Sequence, residues 1–178
     1  MAVYGAKNLT GRGGAYALLA LAVREEWGIS PPPPLERLPG GKPAFIGWPE
    51  HEFNLSHSGP LALCALNGQP VGADIQMVKG WRPGLPARVC APAELEWLEG
   101  REPGAFAAVW AMKEARVKQS GQGLRLGKIS DIAVPLPRPG ETLLALEGLW
   151  FRLYRGEGWA GAVCALTPPP EKILWRNL

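Results

Sequence analysis

Cysteine is scarce in this sequence, and charge is not concentrated anywhere. Cys64, Cys90 and Cys164 are the only three in 178 residues. An odd count with no CxxC pair and no Cys/His ligand spacing excludes a complete disulfide framework and a zinc ribbon. Cys64 and Cys164 sit inside apolar runs, the usual setting of a reduced, buried thiol; all three are read that way, which points to a cytoplasmic protein. Lys and Arg number 19 against 16 Asp and Glu, a net charge of +3, and no basic run occurs. A nucleic-acid partner is therefore not expected, whereas an acidic partner or a phosphorylated ligand remains compatible. Long apolar runs are missing too. "AYALLALAV" (15–23) follows Lys7 and Arg12 as the core of a secretory leader does, but it is too short to span a bilayer. It also continues into "REEWG" as an amphipathic helix would, so a buried helix and no membrane partner are expected. Around Ser56 there is no G-x-S-x-G elbow, which argues against a serine hydrolase.

What is present suffices for one well-buried domain or two small subdomains sharing a core: 47% of the residues are apolar. A helix is predicted over 13–27, ending at Gly28, with "SPPPP" forced extended after it. From "HEFNLSHSG" to "PLALCALNGQPVGADIQ" three short apolar stretches read as an antiparallel meander, with Asn67-Gly68 as a tight-hairpin signal. "APAELEWLEG" reads as a helix opened by Pro92, and "EPGAFAAVWAMKEARVKQSG" as a second over 103–120, closed by Gly121. A second β region follows in "KISDIAVPL", "TLLALEGLWFRLYRGE" and "WAGAVCALTPP". Its last strand echoes the first half, "LALCAL" (61–66) against "GAVCAL" (161–166). With helix-then-strand order in both halves, this predicts an α+β fold made by pseudo-two-fold duplication, with subdomains at 1–76 and 77–178.

The chemistry-bearing residues cluster in "WAMKEARVKQSGQGL" (110–124). At about 100° per residue, Trp110, Glu114 and Lys118 share one helix face. Taken alone, Glu114 and Lys118 are an ordinary surface ion pair, and Trp110 is a core residue that anchors the helix. Lys113 and Val117 flank that face, so it carries one or two amines, and Lys113 is equally open to helix packing or a structural ion pair. "VGADIQ" adds Asp74 at the end of an apolar strand, behind Gly72 and Ala73, which permit close approach of another segment. Strand alternation puts Gln76 on the face of Asp74 and Ile75 on the other. Two carboxylates from a strand and a following helix make a plausible oxygen-ligand pair for Mg2+ beside a substrate phosphate. "FNLSHSG" adds Ser56 and His57.

"GKPAF", "FNLSHSG", "VGADIQ" and "WAMKEARVKQSGQGL", in this order, resemble the 4'-phosphopantetheinyl transferases of the surfactin-synthetase-activating type. The resemblance covers residues 41–124, with a weaker likeness to the C-terminal strand. It implies transfer of the phosphopantetheine arm of coenzyme A to a serine of an apo carrier protein, with Mg2+ and release of 3',5'-ADP. It also implies a pseudo-two-fold α+β fold with the site between the halves. By resemblance, Asp74 and Glu114 are metal ligands, Glu114 is also the base for the serine proton, and Lys118 serves the diphosphate. Lys42, Ser56 and His57 match residues that hold coenzyme A phosphates.

Two features depart from the family pattern. Gln76 stands where a second acid is common, a neutral oxygen facing the metal. The chain is also short before the first helix, which leaves Arg12, with Lys7, to meet the 3'-phosphate. The carrier is expected to present an acidic recognition helix, and the duplicated chain to be a monomer. Two other readings are a noncatalytic relative that only binds coenzyme A or a carrier, and an unrelated phosphate-ester enzyme using the same acids.

Overall fold

Glycine and proline cut the apolar runs into the elements that form. The computed structural model describes residues 1–10, 13–81, 83–123 and 128–178. Strand β1 (Ala2–Ala6) precedes helix α1 (Gly13–Trp27), which ends at Gly28 with a φ of 69°, the left-handed conformation glycine adopts freely. A short ribbon follows, β2 (Leu35–Arg37) with β3 (Pro43–Phe45), then β4 (Glu52–Ser58), β5 (Leu61–Asn67) and β6 (Val71–Met77). Helices α2 (Leu85–Val89), α3 (Pro92–Leu98) and α4 (Pro103–Ser120) come next, and then strands β7 (Leu143–Leu146), β8 (Leu149–Gly156), β9 (Trp159–Ala165) and β10 (Leu174–Arg176). Both longer helices lie where the sequence places them.

Two four-stranded sheets result, ordered β10-β1-β5-β4 and β6-β9-β8-β7. All pairings are antiparallel except β1 with β10. Leu18, Leu19 and Val23 of α1 pack on Phe53, Cys64 and Leu66 of the first sheet. Ala108, Ala111 and Met112 of α4 pack on Phe151, Leu153 and Cys164 of the second. Between the sheets, Val3, Leu61 and Leu63 meet Val71, Ile75 and Val163. The layers therefore run helix, sheet, sheet, helix in a mixed α+β architecture. Cys64 and Cys164, the matched positions of the echo, each face the helix that covers their own sheet. All three cysteines are free and buried.

Some sequence expectations fail, each for a reason visible in the hydrogen bonding. Asn67-Gly68 does not close a hairpin. β5 pairs with β1 and β4, while β6 crosses to the second sheet and pairs with β9; the meander is two strands, not three. The division of the chain at residue 76 and the division between sheets therefore do not coincide, and β10 returns to the first sheet. "KISDIAVPL" is not a strand. It forms one 3-10 turn, Ile129–Asp131, and an irregular segment. Its carbonyls are satisfied by side chains of α4: Lys113 Nζ donates to Ile129, Ser130 and Ile132, and Arg116 to Ala133. Nor does Asp74 end its strand, because β9 pairs with β6 through Met77.

Gly72 sets how close α4 lies to β6. A β-carbon built there would stand 1.8 Å from the Ala115 carbonyl oxygen and 2.4 Å from the Gln119 amide nitrogen. Both neighbours are helix backbone and cannot give way without moving the helix. Gly72→Ala is expected to cost about 1–3 kcal/mol, read from the urea midpoint. An unchanged midpoint would contradict this packing.

Candidate active site

The site lies along the edge of β6 that β9 leaves unpaired. A free edge buried in a protein must find other partners, and here they come from side chains. Asn54, Ser56 and Ser58, alternate residues of β4, accept hydrogen bonds from the backbone N–H groups of Ala73, Ile75 and Met77 at 2.8, 3.3 and 3.1 Å. Two lysines serve the carbonyls. Lys42 Nζ donates to Val71 at 3.1 Å, and Lys118 Nζ to Ala73 at 3.4 Å. The polar Asn-x-Ser-x-Ser alternation in "FNLSHS" is the sequence signal for this joint, and residue types alone do not show what it bonds.

Asp74, 2% exposed, sits in the middle of this edge. Its Oδ1 accepts from Ser56 Oγ at 2.7 Å and from Lys118 Nζ at 2.5 Å, and its Oδ2 from Gln76 Nε2 at 2.7 Å. Gln76 thus faces the site as strand alternation predicts, but it presents its amide N–H2 rather than its oxygen. Glu114 stands one turn before Lys118 on α4. Burial raises its pKa, Asp74 adds to the rise, and Lys118 and Trp110 act in the opposite direction. Trp110 is half-buried in an aromatic cluster with Trp81 and Phe106.

Two clefts meet at this cluster and share Pro43, Leu55 and Lys118. One, of about 280 Å³, is lined by Gly40, Gly41, Glu114, Gly121 and Gly123. Here the 38–41 turn rests on the end of α4, where a β-carbon at Gly40 would stand 1.9 Å from the Gly121 oxygen. The other, of about 350 Å³, is lined by Tyr16, Arg37, Ser56, His57 and Asp74. A larger cleft, about 580 Å³, opens elsewhere, beside the start of α4 and Arg101, Arg138 and Arg155. It holds no carboxylate pair, so size does not select the site; the gathered acids and lysine do.

The structure brings Asp74, Glu114, Lys118, Ser56 and Gln76 together and leaves Lys42 and His57 in different situations. Lys42, expected at a coenzyme A phosphate, is buried, with its ammonium committed to Glu52 at 2.8 Å and to Val71 O. Its bonds hold β6 in place. His57 is exposed in the 350 Å³ cleft. Lys7 lies over the Trp175 ring at 4.8 Å, and Arg12 falls outside the described residues. Glu94 carries no sequence signal of its own, since its role is visible only through Lys113. That lysine is fully buried and paired with Glu94 at 2.8 Å, the structural role suggested for it.

Among the described residues no three His, Cys, Asp or Glu side chains gather as a metal group. Asp74 and Glu114 nevertheless lie close enough for one charge to oppose the other's ionisation, a repulsion that a cation relieves. With the Gln76 amide turned over, the donor set is two carboxylates and an amide oxygen. All are hard ligands of the kind Mg2+ takes while keeping several waters, so the residues fit the ion.

A family model described as the 4'-phosphopantetheinyl transferase superfamily matches residues 70–164, from β6 through β9. A 4'-phosphopantetheinyl transferase of Bacillus subtilis is 34% identical over 137 residues, covering 72% of this chain and 61% of the relative. The transferase Sfp of Bacillus subtilis strain 168 is 32% identical over 143 residues, 75% of this chain and 63% of that one. The transferase AcpT of Salmonella typhi is 38% identical over 101 residues, 52% of each. The chain thus spans rather less than two thirds of the length of these relatives.

Proposed function

The chain belongs to the 4'-phosphopantetheinyl transferase superfamily, and from that premise we propose that it transfers the phosphopantetheine arm of coenzyme A to a serine of an apo carrier protein, releasing 3',5'-ADP. The observation that carries this reading is the Asp74–Lys118 pair with Glu114 beside it, at the junction of two clefts. The serine oxygen attacks the β-phosphorus of the diphosphate, and the bond to the adenosine-side phosphate oxygen breaks. Glu114 takes the serine proton. Burial raises its pKa in the metal-free protein, the direction that favours proton acceptance. Lys118, beside the leaving diphosphate, stabilises the negative charge that develops on 3',5'-ADP. Ser56 and Gln76 fix the orientation of Asp74 through hydrogen bonds to its two oxygens. Asp74, Glu114 and Gln76 would hold Mg2+, which supplies positive charge to the diphosphate when bound. Lys42, from the lining of the smaller cleft, and Ser56 and His57, from the larger, contact the coenzyme A phosphates. The reading extends to a carrier with an acidic helix, a monomeric enzyme and a cytoplasmic location; the net charge of +3 and three buried thiols support the first and last. No helix among the described residues is long and apolar enough to cross a membrane.

Coenzyme A should release 3',5'-ADP only when apo carrier is present, and not when the carrier's target serine is replaced by alanine. Release indifferent to that serine would point to a phosphate-ester hydrolase instead. The metal assignment is tested separately. Gln76→Glu adds a charged ligand, so Mn2+ used as a paramagnetic stand-in for Mg2+ is expected to bind on the order of ten-fold more tightly than to the unaltered protein. An unchanged Mn2+ titration would remove Gln76 from the ligand set and leave Asp74 and Glu114 untouched.

A further inference from the structure

The cleft of about 580 Å³ beside the start of α4 takes no part in the chemistry above, and it is basic. Arg101 enters it from the joint between α3 and α4, Arg138 from the segment before β7, and Arg155 from the end of β8. Glu102 is the one acid on its lining. The three arginines are exposed, and none is in an ion pair among the described residues. The floor is apolar, made by Val78, Trp97, Trp159 and Ala160, each buried or half-buried.

Each arginine springs from a fixed base. The Arg101 guanidinium lies over the Trp97 ring at 4.2 Å, and its Nε donates to the Trp97 carbonyl at 2.5 Å. Both Nη groups are left for a partner. Arg138 stands between Pro137 and Pro139, whose rings restrict the backbone on either side. Its turn is closed by Glu141, which donates its N–H to Arg138 O at 3.1 Å and accepts from Arg138 N through Oε2 at 3.0 Å. Arg155 is paired with Ala160 in the β8–β9 ladder. Three cations against one acid repel one another, and an acidic partner relieves that repulsion.

Two elements tie this cleft to the reacting residues. β6 carries Asp74 and leads on to Val78, whose N–H donates to Gly158 O in the β8–β9 turn at 2.8 Å. α4 begins at the cleft with Pro103 and Gly104 and carries Glu114 further along. The span is about 13 Å along the strand from Asp74 to Val78, and about 15 Å along the helix from Gly104 to Glu114. Even a small folded domain is about 30 Å across, so a carrier whose serine sits at Glu114 is large enough to reach the arginines. Other partners fit less well. None of the exposed large apolar side chains among the described residues lines the cleft, so it has nothing to insert into a bilayer. Three separate arginines without a basic run do not track a nucleic-acid backbone. We propose that Arg101, Arg138 and Arg155 dock an acidic stretch of the carrier protein and set the affinity for the carrier without taking part in the reaction. This rests on the transfer reading above for the identity of the partner.

The test is steady-state kinetics of carrier modification with both charges reversed. Arg138→Glu with Arg155→Glu is expected to raise the KM for apo carrier about ten-fold or more, and to leave kcat and the KM for coenzyme A where they were. Both residues are exposed, so the change does not threaten the fold. Added salt should raise the carrier KM of the unaltered protein and move that of the variant much less. Lysines placed at acidic positions of the carrier should restore its KM with the reversed protein. An unchanged carrier KM would overturn the proposal, as would an equal rise in the KM for coenzyme A, which would show a disturbed site rather than a lost dock. Arginine-dependent binding to vesicles of anionic phospholipid, with the carrier KM unmoved, would assign the cleft to a membrane and overturn it too. The two readings fail separately. Apo carrier that binds in calorimetric titration through these arginines, yet is never modified, keeps the dock and removes transfer. Modification with a carrier KM indifferent to the arginines removes the dock and keeps transfer.

Discussion

Glu114→Gln is expected to lower carrier modification at least about a hundred-fold while leaving the protein as stable as before or more so. The substitution keeps the helix former and the volume. It removes the proton acceptor and one negative charge. The stability half of the expectation comes from the direction of the pKa shift. Burial raises Glu114 above the ordinary glutamate range, with Asp74 adding to the rise. A carboxyl with a raised folded-state pKa contributes stability that is fully present below the unfolded pKa and is lost as pH rises through the folded one. At neutral pH the ionised group therefore opposes folding, and a neutral amide does not. The thermal midpoint of the variant at neutral pH should equal or exceed that of the unaltered protein, and the difference should vanish in acid. The rate of the unaltered protein should in turn fall in acid, because the protonated acid cannot accept the serine proton. Near-normal turnover in the variant would displace Glu114 from the role of base.

Lys113, the residue beside it, should behave in the opposite way. Its ammonium has no solvent contact. It pairs with Glu94 at 2.8 Å and donates to three carbonyls of the 129–132 segment, the shortest bond being 2.6 Å to Ile132. Lys113→Ala leaves a buried carboxylate without its cation and three carbonyls without a donor. Removing one partner of such a pair costs about 3–5 kcal/mol, and this loss should appear in the urea midpoint. Lys113→Met with Glu94→Gln removes both charges together, keeps an acceptor for the Ala91 N–H that Glu94 holds at 2.7 Å, and should recover more than half of the loss. A single-variant cost below about 1 kcal/mol, the range of an exposed pair, would contradict the burial of this group. Adjacent residues on one helix thus have opposite signatures. Glu114 is needed for rate and unfavourable for stability, and Lys113 is needed for stability.

Such distinctions show where sequence reasoning succeeds. Helices α1 and α4 were legible because their apolar spacing and bounding Gly and Pro residues are local signals. Asp74, Glu114 and Lys118 were legible as a set because motif order and helix and strand periodicity put them on convergent faces. The pairing of β6 was not, since Asn67-Gly68 carries a strong hairpin signal while the partner that wins, β9, lies far along the chain. The failure at "KISDIAVPL" has the same origin. Its residues favour a strand, but the donors that satisfy its carbonyls are a lysine and an arginine on α4. Lys42 could be placed near the site, but its bonds to Glu52 and Val71 could not be foreseen, because they depend on where β4 and β6 meet.

The most direct test of the proposed transfer is the intact mass of a purified apo carrier protein after incubation with this protein, coenzyme A and Mg2+. Gain of one phosphopantetheine arm on the carrier's target serine is the predicted result, lost with Glu114→Gln. An unmodified carrier across acyl, peptidyl and aryl types, in a sample that still binds coenzyme A, would contradict it and identify the protein as a noncatalytic relative.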